Sequence, residues 1–466
     1  MIPILLIGAP LLTGIISFFI NNATTAKRLA LFSSIITLAI MLVDVFGLYT
    51  SDTFSAPWIP VLGATFTVSI DGMSKLLCLL TAVSFPIIFI ATYKNEYKNA
   101  SSFYAWMLLS QAGLMGVFVA ADALLFYFFW ELALIPAYFL CSQWGGEKRI
   151  QATFKFFIYT FAGSLLMLVG IIYLYTLTPD QSFSIQAFYN LKLSVAQQSW
   201  LFWLFFIAFA IKMPIFPFHT WQPDAYEQSP IAATMVLSGI MVKMGLFAVM
   251  RWLLPIFPQA SHQYAHIIIT LSIIGIIYAS LIAIRQDDLK RLVAYSSIAH
   301  IGLMCAAIFA QNTMSIQGVM IQMFSHGINI IGLWIIVDAI ECRTGTRKIS
   351  QLGGLATKAP ILTILLVIVA LANIALPLTN AFVGEFLMFN GLFQYNIIAA
   401  AIAGLGIILA AVYMLSMIRN VFYGEESSAV VKAVDIHAFI KIALILIVLL
   451  ILVFGVYAKP LLQMIQ

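Results

Sequence analysis

Residues Ile211-Lys212-Met213-Pro214-Ile215-Phe216-Pro217 interrupt an apolar run that extends from 200 to 222. Proline has no backbone donor and clashes with the preceding turn, so a helix cannot pass straight through two of them. The lysine sits about twelve residues into the run, which at 1.5 Å rise per residue places it near the middle of a membrane crossing. A charge at that depth beside a helix break is the feature from which the rest of the sequence is read.

The surrounding composition makes the medium lipid. Apolar residues are 63% of 466 and charged residues 9%, against about 45–50% and about 25% in soluble domains. The length would allow about three soluble domains, but long apolar runs leave no room for one. They predict an all-α integral membrane protein with about fourteen spans, at 2–21, 27–48, 75–92, 104–120, 122–143, 153–177, 200–222, 229–253, 263–283, 290–310, 314–340, 359–395, 396–422 and 437–459. Runs of this length exclude a barrel, whose strands are short and alternating. The first run lacks a basic leader and a cleavage site, so it reads as a span and not as a signal peptide.

Seventeen lysines and arginines fall in loops on one side of this arrangement, four (Lys75, Lys192, Arg251 and Lys459) on the other, and Lys212 and Lys243 inside. The basic side is the cytoplasmic one. Both termini are then expected on the non-cytoplasmic side of a bacterial inner membrane. The small net charge of +5 gives no reason to expect nucleic acid as a partner.

A second interruption occurs at Ala375-Leu376-Pro377-Leu378-Thr379-Asn380, within a run of about 37 residues that is too long for one straight crossing. The two breaks are five spans apart. Spans 4–8 and 9–13 therefore read as two five-helix repeats, each with its fourth helix broken, and an odd repeat length inverts one against the other. Proline kinks are common in membrane helices. Matched breaks with an ionisable residue beside each favour a transport path. The organisation expected is an N-terminal three-helix segment (1–103), a first repeat (104–253), a second repeat (254–422) and a C-terminal helix (423–466).

Glu131, Lys212, Lys243 and Glu385 lie within spans, as do His300 and His326. Each central charge costs about 2.5–3.5 kcal/mol on insertion scales, about 10–14 kcal/mol for four. Leucine would serve a purely structural role better, although static ion pairs that fix helix register are the competing reading. Burial disfavours the charged lysine and a nearby carboxylate favours it, so a carboxylate that moves can load or unload a proton. Lys, Glu and His along the membrane plane, bridged by water, make a proton relay. No polar pocket suited to a larger solute is visible. Asp44, Asp71, Asp224, Glu227 and Asp338 read as caps or solvated groups. Asp287 and Asp288 with Arg285, Lys290 and Arg291 read as a structural cluster. Cys78, Cys141, Cys305 and Cys342 form no CxxC or Cys/His group, so iron–sulfur and structural zinc sites are not expected and buried free thiols are.

The stretches Asp71-Gly72-Met73-Ser74, Trp130-Glu131-Leu132, Lys212 to Trp221, Gln286 to Arg291, Ala294 to His300 and Phe382-Val383-Gly384-Glu385-Phe386 resemble the antiporter-like subunits of proton-translocating NADH:quinone oxidoreductase, respiratory complex I. Related chains occur in Mrp-type cation/proton antiporters, which are the alternative. The resemblance covers most of the chain and is closest to the M type, because L- and N-type and Mrp chains usually carry lysine where Glu385 stands. The short stretch after the last span also differs from the L type.

The resemblance implies that Glu131 tunes Lys212, that Lys212 holds and releases a proton, and that Lys243 connects to the second repeat. It implies that His300 and His326 bridge the axis, that Glu385 is the terminal group, and that His219 assists proton uptake. Redox chemistry, with its flavin and iron–sulfur clusters, is expected in partner subunits and no cofactor or metal in this chain. The partners implied are membrane subunits of the complex, the L and N types above all, and lipid. A haem carrier using the two histidines and a passive spacer are the other readings. More glycine would be expected at the second break.

Overall fold

Hydrocarbon contains no water to pair with backbone groups, so each apolar run closes its hydrogen bonds internally as a helix. The computed structural model describes residues 1–48 and 53–465; residues 49–52 of the first long loop and residue 466 lie outside it. All fourteen runs carry helix, in order, with ends shifted by a few residues. Twelve helices among the described residues are long and apolar enough to cross a membrane. The first span is a shorter helix, Ile2–Ser17. The twelfth is divided into Pro360–Asn373 and Asn380–Tyr395. The seventh is divided as well, into Val195–Lys212 and Trp221–Gln228.

The chain is not purely helical. Residues Thr53–Ile59 (β1) and Ala64–Ser69 (β2) pair antiparallel, Thr53 opposite Ser69 and Phe54 opposite Val68. Gly63, at φ 66°, closes the connection between them. This hairpin explains how Ala121 and Asp122 join spans 4 and 5 so tightly. Ala121 N donates to Thr67 O at 2.9 Å. Asp122 accepts from Thr65 N and Oγ1 at 3.0 and 3.1 Å and caps the fifth span through Leu124 N and Leu125 N. Burial pushes its carboxyl above the ordinary range, against the pull of those four donors.

The same device recurs at the tenth span. Asp288 caps it through Lys290 N and Arg291 N at 2.9 and 3.1 Å. Beside Asp122, Ala123 N donates to Phe183 O at 2.7 Å and Ile185 N to Ala121 O at 3.0 Å. Beside Asp288, Leu289 N donates to Arg347 O at 3.0 Å and Ile349 N to Asp287 O at 2.7 Å. Each cap is thus clamped to the chain leaving the span that follows it. Five crossings separate the two, so they lie at opposite ends of the bundle.

Two expectations about charges and thiols need correction. Asp44 is neither a cap nor solvated: it is 4% exposed and pairs with Lys75 at 3.2 Å, because Lys75, near the start of the third span, brings a cation to it. Cys342 is exposed while the other three cysteines are buried; it lies in the last turn of a 32-residue helix that outruns the bundle. Asp71 does cap the third span, through Ser74 N, and pairs with Arg251 at 2.6 Å. Burial opposes its ionisation, but the Arg251 charge and these bonds hold its carboxyl below the usual range.

At the second break, the work expected of glycine is done by Ala375 and Leu378, at φ 53° and 73°. A left-handed residue with a Cβ costs about 1–2 kcal/mol. Neighbours hold it there: Asn329 Nδ2 donates to Ala372 O at 3.2 Å and Ser325 Oγ to Asn380 O at 2.9 Å. Gly455 of the last span lies so close that a Cβ there would collide with the Leu378 carbonyl oxygen. Gly455→Ala is therefore expected to lower the unfolding midpoint in detergent, by the equivalent of about 1–3 kcal/mol. Ala375→Gly, which relieves left-handed strain, is expected not to lower it. An unchanged midpoint in Gly455→Ala would mean that the last span does not hold the break.

Candidate functional site

Lys212 is the last residue of the first half of the broken seventh span and is 2% exposed. The unpaired carbonyls of a helix C-terminus favour a cation there. The indole of Trp130 adds to this, with Lys212 Nζ 5.3 Å from the ring centroid. Across the break, Trp221 Nε1 donates to Ile211 O at 3.0 Å, which pins the second half of the span to the turn that carries the lysine. The Lys212 amine has no hydrogen-bond partner among the described residues.

Glu131 of the fifth span faces Ser164 and lies within electrostatic reach of Lys212. No ion pair joins the two within 4.0 Å among the described residues. The carboxylate and the amine are neighbours held apart, in a state where neither fully compensates the other.

The eighth span, Ile231–Ile256, is buried throughout its apolar window. It contains two wide π-turns, Leu237–Met241 and Val249–Leu253, one on either side of Lys243. Such turns loosen the backbone ladder, and Lys243 uses the result. Its Nζ donates to Ser238 O, five residues back, at 2.8 Å. The same Nζ lies 2.9 Å from His326 Nδ1. With an ammonium donating to Nδ1, the neutral His326 ring carries its proton on Nε2.

From His326 the chain of groups continues. The His326 and His300 ring centroids are 5.4 Å apart. His300 Nδ1 is 3.2 Å from Glu385 Oε1. Gln322 Nε2 donates to the same oxygen at 3.2 Å. Lys243, His326, His300 and Glu385 are 0%, 2%, 7% and 4% exposed, so this row is sealed from bulk water. The structure thus joins four of the seven residues singled out from the sequence and leaves Glu131 and Lys212 as a separated pair. His219 stands apart, packed between Phe216 and Tyr278.

Gln322 and Ser238 were missed in the sequence. Gln322 lies one helical turn before His326 on the same face, which is a legible signal. Ser238 contributes through its carbonyl oxygen, which no side-chain pattern marks.

The basic side carries an ion-pair cluster that shares Asp288 and Arg291 with the expected one and draws in Asp224 and Glu227, which are paired and not merely caps or solvated groups. Arg291 bonds Asp224 and Glu227 at 3.2 and 2.9 Å, Arg347 bonds Glu227 and Asp288 at 2.8 and 2.5 Å, and Lys155 bonds Asp224 at 2.7 Å. Asp224 and Glu227 belong to the second half of the seventh span, so the network ties that piece to spans 6 and 10 and to the loop after span 11. Burial disfavours the Arg347 guanidinium, but Asp288 and the surrounding carboxylates hold it above its ordinary value.

His326→Leu is expected to strand the Lys243 ammonium and cost about 3 kcal/mol of stability. Adding Lys243→Met should recover most of that loss, because the ammonium left without its partner is then gone. Unfolding midpoints in detergent measure both, and a double variant less stable than the single would show that the two groups are not coupled.

The family described as NADH:quinone oxidoreductase/Mrp antiporter, transmembrane, matches residues 120–410. NADH-quinone oxidoreductase subunit M of Rickettsia typhi is 36% identical over 461 residues, 96% of this chain and 93% of that one. F(420)H(2) dehydrogenase subunit M of Methanosarcina mazei is 35% identical over 482 residues, covering 100% and 97%. A chain of respiratory complex I from Thermus thermophilus with bound NADH superposes with a TM-score of 0.92 at 28% identity, over 100% of this chain and 98% of that one.

Proposed function

The chain belongs to the NADH:quinone oxidoreductase/Mrp antiporter membrane family, and from that membership we propose that it is the M-type membrane subunit of an NADH:quinone oxidoreductase that moves protons through a Glu/Lys/His relay. The observation that carries the relay is the row Lys243–His326–His300–Glu385, buried within the bundle with two of its links at 2.9 and 3.2 Å. Redox chemistry is assigned to partner subunits holding flavin and iron–sulfur clusters. The neighbours are the L and N types.

The relay works through proton affinity. At about 4 Å and an effective dielectric of about 20, a carboxylate favours an ammonium by about 4 kcal/mol, roughly a thousandfold in proton affinity. When Glu131 approaches, Lys212 takes a proton; when it withdraws, Lys212 releases the proton inward to Lys243. The Lys243 ammonium passes a proton to His326 Nδ1, and the ring gives up the one on Nε2. His300 receives it and delivers from Nδ1 to Glu385 Oε1. Each imidazole gains a proton on one nitrogen and loses one from the other, which is the natural use of a neutral histidine in a row. His219, away from the row, is assigned to uptake. Residues 104–253 and 254–422 act as the two inverted repeats, with 1–103 and 423–466 as the helices around them, both termini on the non-cytoplasmic side of the bacterial inner membrane.

Lys212→Ala and Glu131→Gln, made separately in the assembled complex, should each lower quinone reduction and proton uptake into inverted vesicles together, by about tenfold or more, with assembly intact. Wild-type values for both would return these charges to a structural role. For orientation, a membrane-impermeant maleimide should label Cys342, the exposed thiol among the four, in inverted vesicles and not in right-side-out ones. The reverse pattern would overturn the orientation.

A further inference from the structure

Beyond the row, Glu385 shares a narrow cavity with His300 of the tenth span and Tyr413 of the thirteenth. The cavity has room for about 20 Å³ of water-centre volume, and a single water needs about 10–15 Å³ and two to four polar partners. Three polar side chains line it. Its remaining walls are apolar, among them Ile276, Leu303 and Phe389, so it suits one water and not a file of them.

Tyr413 is 1% exposed. Its hydroxyl lies 3.0 Å from Ser296 Oγ, and Ser296 Oγ accepts from Asn373 Nδ2 at 3.1 Å. Ser296 and Asn373 are buried as well. An amide nitrogen donates and cannot accept. Ser296 Oγ keeps its own proton and one lone pair, so either hydroxyl can donate in the Ser296–Tyr413 bond; where the serine donates, the phenol proton points onward into the cavity. Asn373 is the last residue before the break in the twelfth span.

Resting on the relay reading above, we propose that Asn373, Ser296 and Tyr413 form a hydrogen-bond chain that, with the serine donating to the phenol, reaches the Glu385 carboxylate through one water in this cavity and ties that carboxyl to the span-12 break. Tyr413 and Ser296 are positioning residues. A hydrogen bond to the charged form of a carboxyl favours that form. The chain begins at Asn373, the last helical residue before the break, so a shift of the break would disturb the hydrogen bonds that lead to Glu385. The titratable groups around Glu385 are His300, Tyr413 and, behind His300, His326. The fourteenth span, which packs on the same segment, carries no ionisable side chain over 442–456.

The test is infrared difference spectroscopy of the assembled complex across pH, paired with proton uptake per quinone reduced. The Glu385 carboxyl C=O band is identified by its loss in Glu385→Gln. In Tyr413→Phe that band should rise in frequency and persist to about one pH unit higher, a tenfold change in proton affinity, with proton uptake reduced severalfold. Ser296→Ala should move both readouts the same way, and Ser296→Thr, which keeps the hydroxyl, should restore them. A band unmoved in frequency and in pH in Tyr413→Phe overturns the proposal. Wild-type proton uptake in Glu385→Gln would instead sink the relay reading itself. Loss of uptake in Glu385→Gln with an unmoved Tyr413→Phe band removes only the chain proposed here.

Discussion

A helix interrupted inside hydrocarbon leaves carbonyl and amide groups with no water to take them, and everything built around the two breaks answers that requirement. At the seventh span the answer is an indole, Trp221 Nε1 on Ile211 O. At the twelfth it is a pair of polar side chains from the eleventh span, Asn329 and Ser325. The eleventh span also carries His326 and Gln322, so the helix that mends the second break is the one that lines the charged row. The two tasks cannot be altered independently. A shift of the break moves the polar groups that hold it, and with them the groups beside Glu385.

The same economy governs the charges. Lys243 has two partners, Ser238 O and His326 Nδ1, and Lys212 has an aromatic face and a helix end. Among the described residues, neither is paired with a carboxylate in contact. A static ion pair would be cheaper to bury and would also hold its proton fixed. The fully matched ion pairs of this chain, such as Arg347 with Glu227 and Asp288, lie at the membrane edge, where the need is for rigidity.

Much of this was legible in the sequence because proline and charge are local signals. Pro214, Pro217 and Pro377 mark the breaks, and an ionisable residue in an apolar run marks the row. The rest depended on partners distant in the chain. Ala375 and Leu378 take left-handed backbone because Asn329, Ser325 and the space left by Gly455 make it tolerable, and no rule about residue 375 contains that. The hairpin of residues 53–69 has short strands in a loop and is stabilised by Asp122, far away in sequence. Asp44 is buried because Lys75 meets it. The separation of Glu131 and Lys212 is a property of a conformation, which a sequence does not encode one state at a time.

The two π-turns beside Lys243 give the eighth span a different kind of arithmetic. A π-turn holds one residue more than an α-turn, and each residue advances a helix by about 100°. In a plain α stretch, deleting one residue would swing one side by about that angle against the other. Deleting one residue from 237–241 would instead let the wide turn close as plain α with the two flanks still facing as they do now. The π-turn is thus where this span can lose a residue and keep Lys243 aimed at His326, at the loss of the Ser238 carbonyl that the wide turn offers the lysine.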